Sequence, residues 1–290
     1  EPVLRREVDA SDWASLSALA RSADLADVRR ELLRRVEALQ PGLDDREFVE
    51  SVARAGIVFQ AAVFGARDGL PDPGPALPAA IRPPVPIAAS DGATTRSHAM
   101  LPFAALGEAS RGIGHINVSP DADGITRRFE PLAWWRDPRA AYPSLGVAIA
   151  AHVKGVAPGS LRREPAGLVV GDSVLPLDPD GSAWIHYQGG TVSRDAGGET
   201  FRSFYRRVPY EDVLATKDLL AAGREAPLAP GAFRDKIVLV SAQAAGLSDL
   251  RASPFSPVMP GIEIHANVID SLLSARFLGH PGAAAEWLLM

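Results

Sequence analysis

Asp249 and His265 are the residue types in this sequence most suited to exchanging a proton or gripping a ligand. Asp249 closes Gly246-Leu247-Ser248-Asp249, and His265 lies within Glu263-Ile264-His265-Ala266-Asn267. Upstream, Lys236-Ile237-Val238-Leu239-Val240-Ser241 lacks polar alternation and reads as an interior strand. The order is therefore strand, loop, helix. In open α/β sheets, ligands collect at the carboxyl ends of strands, facing helix N-termini. At about 100° per residue, His265 shares a helix face with Ile262, Ala266, Ile269 and Leu272. Glu263, Asn267, Asp270 and Ser274 take the polar side. His265 is then either a core histidine, bonded to a backbone group or to Asp249, or a ligand or switch residue. Asp249 either caps a turn or ties the loop to His265, and their coupling is the expectation adopted. Ser248 and Asn267 complete this group of ligand-binding or switch candidates.

A second group surrounds Asn117, Asp121, Asp123 and Gly124. Asp-x-Asp-Gly resembles part of a calcium loop, but such a loop needs further ligands, a later Glu and a following helix. Here Ile125-Thr126-Arg127-Arg128 follows and reads as strand, so a tight turn with positive φ at Gly124 is expected. Asn117 and Arg127 remain as polar candidates. Cysteine is absent, which excludes thiol catalysis, a disulfide framework and Cys-ligated metal. No metal and no cofactor are expected. The templates Gly-x-Ser-x-Gly, His-Glu-x-x-His and Gly-x-x-x-x-Gly-Lys-Ser/Thr are missing, and no catalytic residue is assigned. A hydrolase using Asp249 and His265 would need a nucleophile or metal within reach of both.

These residues need a folded frame, and the composition supplies one. Apolar residues reach 47% and charged residues 22% over 290 positions, which argues against global disorder. Gly 26 and Pro 25 imply a core cut by many turns. The formal charge of −5 speaks against a broad nucleic-acid face, so no nucleic-acid partner is expected. No stretch reaches the roughly 20 apolar residues that cross a bilayer. Glu1-Pro2-Val3-Leu4-Arg5-Arg6 does not read as a signal peptide. Residues 280–290 turn apolar from Ala283 to Met290, either as an ordinary last helix or as the start of a membrane helix with Trp287 near the lipid interface.

Along the chain, residues 12–39 show helical apolar spacing, closed by Pro41-Gly42. Asp44 starts a second helix that Gly56 ends. Ile57 to Phe64 reads as a buried strand, and residues 67–90 as a Pro-rich loop with a short strand near Val85 to Ala88. Residues 114–135 read as a hairpin about the Asp121–Gly124 turn. Ser144 to Val153 reads as an Ala-rich helix with Pro143 at its first turn, and residues 167–188 as short strands. Tyr210 to Ala215 is a brief helix and Gly261 to Ala275 a longer one. The order predicts an α/β domain, with α+β as the alternative: a mixed, mainly buried sheet flanked by helices, after a long N-terminal helical segment.

Several stretches in sequence order resemble the CHASE2 sensory domain. They are Gly114-His115-Ile116-Asn117-Val118 with Asp121-Ala122-Asp123-Gly124 and Arg127-Arg128; Tyr142-Pro143-Ser144-Leu145; and Tyr205-Arg206-Arg207-Val208-Pro209-Tyr210 with Val213-Leu214. Phe233 to Val240, Ala244 to Asp249, Ser253-Pro254-Phe255 and Met259 to Asn267 follow. The family's opening strand, Asp-rich turn and Trp-Pro-Trp-like stretch are not found before residue 44. Either the chain starts inside the domain, or the 12–39 helix stands in their place.

The resemblance implies residues 1–43 as an N-terminal helical segment, 44–279 as the sensory domain and 280–290 as the start of a following transmembrane helix. It further implies a periplasmic or extracellular input module of a bacterial membrane receptor. An unknown small-molecule or environmental signal would be relayed to a cyclase, kinase or diguanylate cyclase output. A homodimer, anchored to the membrane through flanking helices, is expected. The competing expectation is a structural or dimerisation module without a small ligand, with the hydrolase as a third reading. The domain itself is not expected to be an enzyme.

Overall fold

The computed structural model describes residues 43–65, 85–89, 95–195, 198–242 and 249–279. The expectations for residues 1–42 and 280–290, most of the Pro-rich loop and Ser248 lie outside the described residues. The chain divides into two compact units, Glu1–Arg54 and Ala55–Met290. Helix α1 (Leu43–Ala55) runs up to the boundary and stops at Gly56, whose φ of 65° suits a left-handed helix end.

In the second unit, the strand expected at Ile57 to Phe64 forms as β1 (Phe59–Gly65), but only Ala62 and Phe64 in it are buried and Ile57 lies outside it, exposed. It is followed by β2 (Thr95–Arg96), β3 (His98–Met100), α2 (Ala104–Ala109) and β4 (Gly112–His115). β1 is the middle strand of a sheet ordered β3-β1-β4. It runs parallel to β4, Phe59 opposite Gly112 through Ala62 opposite His115, and antiparallel to β3. Next come β5 (Arg128–Phe129), β6 (Leu132–Trp135), β7 (Ala141–Pro143) and α3 (Leu145–Val153). Strands β2, β6 and β7 form a second sheet. After β8 (Arg162–Glu164), the short strands β9 (Gly167–Val170), β10 (Ser173–Leu175) and β11 (Ala183–Trp184) lie where 167–188 was expected to be strand-rich, and β11 pairs with β5. Two further hairpins are β12 (Gly190–Asp195) with β13 (Gly198–Ser203), and β14 (Leu250–Ser253) with β15 (Ser256–Pro260). Helices α4 (Tyr210–Ala221) and α5 (Ile262–Ser274) complete the set. The architecture is mixed α/β, but its described strands divide among six small sheets rather than one.

Close backbone approach sets the frame of the site. A Cβ on Gly114 would stand 2.4 Å from Leu145 Cα, so β4 is pressed onto the start of α3. A Cβ on Gly146 would stand 2.7 Å from Val268 Cγ1, so α3 and α5 meet equally closely. Ser144 caps α3 by accepting from Val147 N–H at 3.4 Å, while Pro143, expected in the first turn, belongs to β7. The main core joins Trp134, Val147, Leu168, Ile185, Met259, Ile264, Val268 and Leu272. A second cluster holds Phe64, Ile113, Trp135 and Tyr142.

Three further expectations are corrected. Residues 114–135 are not a hairpin. β4 is taken by the parallel ladder to β1, the turn at Asp121–Gly124 forms as expected, and the return strand breaks at Pro131 into β5 and β6 with different partners. Tyr210 to Ala215 is the first half of the longer α4. Residues 236–241 are not an interior strand, because no described strand forms a ladder with them. Ile237, Val238 and Val240 are 42%, 48% and 77% exposed, and only Leu239 packs, against Leu145, Ile149 and Ile269. An apolar run favours burial, but it does not supply the neighbouring strand whose hydrogen bonds would satisfy its backbone.

Candidate functional site

The site is organised by α5, whose sequence gives it two different faces. Ile264, Val268 and Leu272 recur every four residues and are 0–2% exposed in the main core. Ile269 packs with Leu145 and Ile149 of α3. The polar side is buried in part: Glu263, Asn267 and Ser271 are buried, Asp270 is half-buried and Ser274 is exposed. Arg207 donates to Glu263 Oε1 through Nε at 3.1 Å and through Nη2. Asn267 Oδ1 accepts from Gln188 N–H at 2.7 Å and from Tyr205 O–H at 3.3 Å, and its Nδ2 donates to Glu263 O at 2.6 Å. Asp270 accepts from Gln188 Nε2 and pairs with Arg276 at 3.3 Å. Burial, with the charges of Asp270 and Glu263 beside it, pushes the Tyr205 hydroxyl above its ordinary range.

At the start of α5, Gly261 N–H donates to Asp249 O at 2.6 Å, and a Cβ on Gly261 would stand 2.2 Å from Asp249 Oδ2. Asp249 therefore lies directly against the helix entrance. The expected hydrogen bond between Asp249 and His265 is absent among the described residues. Asp249 Oδ1 pairs instead with Arg251 at 2.7 Å, where both side chains reach solvent. His265 sits inside the fold, and its Nδ1 has no hydrogen-bond partner. What joins the pair is charge: burial pushes His265 down to about 4, and the Asp249 carboxylate acts in the opposite direction.

Asn117 follows β4 and bonds to the β1 backbone at Phe64. Arg127 lies in the turn region. It donates to Asp121 Oδ2 at 3.0 Å and to Asp123 at 3.0 and 2.8 Å. Arg128 donates to Asp121 Oδ1 at 2.8 and 3.1 Å. The hydrogen bonds from Arg127 push Asp123 down to about 2, and those from Arg128, then Arg127, lower Asp121. These carboxylates are thus engaged by guanidinium groups. Among the described residues no group of three or more His, Cys, Asp or Glu could hold a metal ion.

The five described candidates do not converge on one site. His265, Asn267 and Asp249 share α5 and its entrance, while Asn117 bonds to the β1 backbone and Arg127 pairs with Asp121 and Asp123. Sequence reasoning passed over His115, which is fully buried on β4 with Nε2 unpartnered. It also passed over Gln188, Tyr205 and Arg207, which cover the polar side of α5. A histidine between Gly114 and Ile116 in a strand was the available signal for the first. Nothing local in the sequence pairs Arg207 with Glu263 across 56 positions.

A family model described as CHASE2 domain matches residues 15–290. The chain belongs to the CHASE2 domain family. That family consists of extracytoplasmic sensory domains and is not catalytic. Searches of curated proteins and of solved structures each return no match. The CHASE2 match reaches to both sides of the 44–279 stretch over which the motifs were read. Among its described residues no helix is long and apolar enough to cross a membrane.

Proposed function

We propose that this CHASE2 domain is the input module of a bacterial transmembrane receptor, set outside the membrane and relaying an environmental signal to a cytoplasmic cyclase, kinase or diguanylate cyclase. The observation that supports this reading is the double attachment of α5. One face is locked into the core through Ile264, Val268 and Leu272, and the other is keyed by Arg207, Gln188 and Tyr205 onto Glu263, Asn267 and Asp270. A helix held by specific polar contacts on one side and apolar packing on the other has discrete seats, which a two-state relay requires. The test is output from the full-length receptor in membranes. Arg207→Ala should shift basal output while the receptor still accumulates, and unchanged output would refute the relay.

The second reading, a dimerisation module without a small ligand, is favoured by the filled surroundings of α5. Asn267 spends its amide on partners within the chain, and Gly261 leaves no room for a Cβ. Sedimentation of the purified chain tests the homodimer common to both readings. A monomer at tens of micromolar, about the range of a weak complex, would refute it.

A further inference from the structure

Two histidines are enclosed where β4, α3 and α5 meet. His115 is 0% exposed and His265 5%. Both lie against the first turn of α3: His115 forms an isolated parallel bridge to Ser144, and His265 O lies 3.4 Å from the place a Cβ would take on Gly146. One nitrogen of each ring has no partner, Nε2 of His115 and Nδ1 of His265. His115 Nδ1 accepts from Asn117 N–H at 3.3 Å, so that nitrogen carries no proton and the neutral ring holds its proton on Nε2. A buried polar atom without a partner is uncommon and costly, and two of them at one junction call for an explanation.

The charged groups whose fields reach the pair come from other elements. Arg96 of β2 acts on His115, and so does His265; Asp249, before β14, acts on His265. Arg96 is itself paired with Glu130 at 2.6 Å. β1 meets His115 with the Phe64 ring, centroids 6.0 Å apart. α3 meets the two histidines with Ser144 and Gly146, which do not titrate, and with the positive end of its helix dipole.

We propose that His115 and His265 form a proton-operated latch, which seats α5 against α3 and β4 while both rings are neutral and unseats it when they are protonated. The inference rests on the sensory reading and names the signal: acidification outside the membrane. Protons come from solvent, one to the bare nitrogen of each ring, and no bond between heavy atoms changes. At His115 that nitrogen is Nδ1, so protonation sets N–H against the N–H of Asn117 and abolishes that hydrogen bond. Two charged rings then repel each other, with Arg96 adding to the repulsion at His115. Asp249 offers His265 its one opposite charge, so His265 takes the first proton and His115 the second. His265 is carried by α5, so the repulsion is relieved by moving that helix. Burial holds both rings below the ordinary histidine range, which keeps the latch closed at neutral pH.

The test uses the purified 290-residue chain. Amide-exchange protection of residues 262–274, corrected for intrinsic rates, should fall reversibly by at least about tenfold between pH 7 and pH 4, a change matching one unit of pKa. The His115→Gln/His265→Gln chain should keep its protection across that range. Protection that stays flat in the native chain, or a fall that persists in the double variant, would overturn the latch. Should the variant fail to fold, imidazole NMR of the native chain decides: an ordinary titration midpoint at either ring, or a proton on Nδ1 of His115 at neutral pH, would overturn it. None of these readings involves receptor output. A flat profile therefore refutes the latch without touching the sensory role, and loss of relay in membranes refutes the role without touching the latch.

Discussion

Asn117 extends the β1–β4 ladder with its side chain: its Oδ1 accepts from Phe64 N–H at 2.9 Å, and its Nδ2 donates to Phe64 O. The amide thus does for Phe64 what a further residue of β4 would have done. Asn117→Ala should destabilise the domain by about 2 kcal/mol, because it orphans a partly buried donor and acceptor together. Asn117→Asp should cost at least as much, since a carboxylate cannot donate to Phe64 O. Urea unfolding of the two variants checks both values, and equal midpoints for all three proteins would contradict the assignment.

Gly146 sets two effects against each other. Replacing a helical glycine by alanine gains at most about 1 kcal/mol of helix propensity, the value for a helix interior, and Gly146 lies in the first turn of α3. Here the new Cβ would lie 2.7 Å from Val268 Cγ1, at a contact between two buried helices. Overpacking of this kind costs about 1–3 kcal/mol, so the clash should win. Gly146→Ala is expected to lower the melting temperature, and pairing it with Val268→Ala should restore part of the loss.

Arg207 and Glu263 test whether the polar face of α5 is held by a specific pair. Glu263 is nearly buried while Arg207 is nearly half exposed, so solvent screens the pair from one side. Arg207→Ala should cost about 2 kcal/mol, less than a fully buried pair, because Glu263 keeps its burial and loses its partner. Adding Glu263→Gln should recover stability relative to the single variant. A double-mutant cycle with no coupling would show that the contact adds nothing.

How far the sequence reached depends on the range of the contacts. α1, β1, α3 and α5 were legible because their apolar spacing and stop signals are local, as Gly56 after α1 shows, although the capping role of Ser144 was not read. The CHASE2 motifs were legible for the same reason. The 236–241 segment was misread because a strand is a relation between two segments, and the sequence shows only one of them. The wheel placed Glu263, Asn267 and Asp270 correctly on one side of α5. It could not show that residues 188, 205 and 207 fold back to cover that side, which turned candidate ligand groups into interior contacts. Asp249 was placed rightly beside the helix entrance, yet Arg251, two residues on, took its carboxylate. His115 was hidden by its own strand, where an imidazole among apolar neighbours resembles packing.

The turn at residues 121–124 gives a prediction by titration. Arg127 holds Asp123 at about 2, through hydrogen bonds to both carboxylate oxygens. In Arg127→Ala the Asp123 carboxyl should return toward the usual range, read by carbon NMR of that side chain. Asp121 should move less, because Arg128 still donates to it twice. Equal movement of the two would mean that Arg128 does not hold Asp121.

Acid should weaken the fold in two separable steps. His265 is held near 4 by burial, against an ordinary value of 6.5, so the unfolded chain binds its proton first as pH falls. Stability is then full above about pH 6.5, declines between about 6.5 and 4, and is level below, with a loss of about 3 kcal/mol from this residue. His115 shifts in the same direction and deepens the decline. Asp121 and Asp123 are lowered instead, so their contribution is present above their ordinary value of 3.8 and is lost only as pH falls below it. Urea midpoints measured from pH 8 to pH 3 should therefore bend first near pH 6 and again near pH 3.5, in about those windows. His115→Gln/His265→Gln should flatten the upper bend and leave the lower one, while Arg127→Ala should shrink the lower bend and leave the upper one. A single carboxylate-range bend in the native chain would mean that neither histidine is held neutral by the fold.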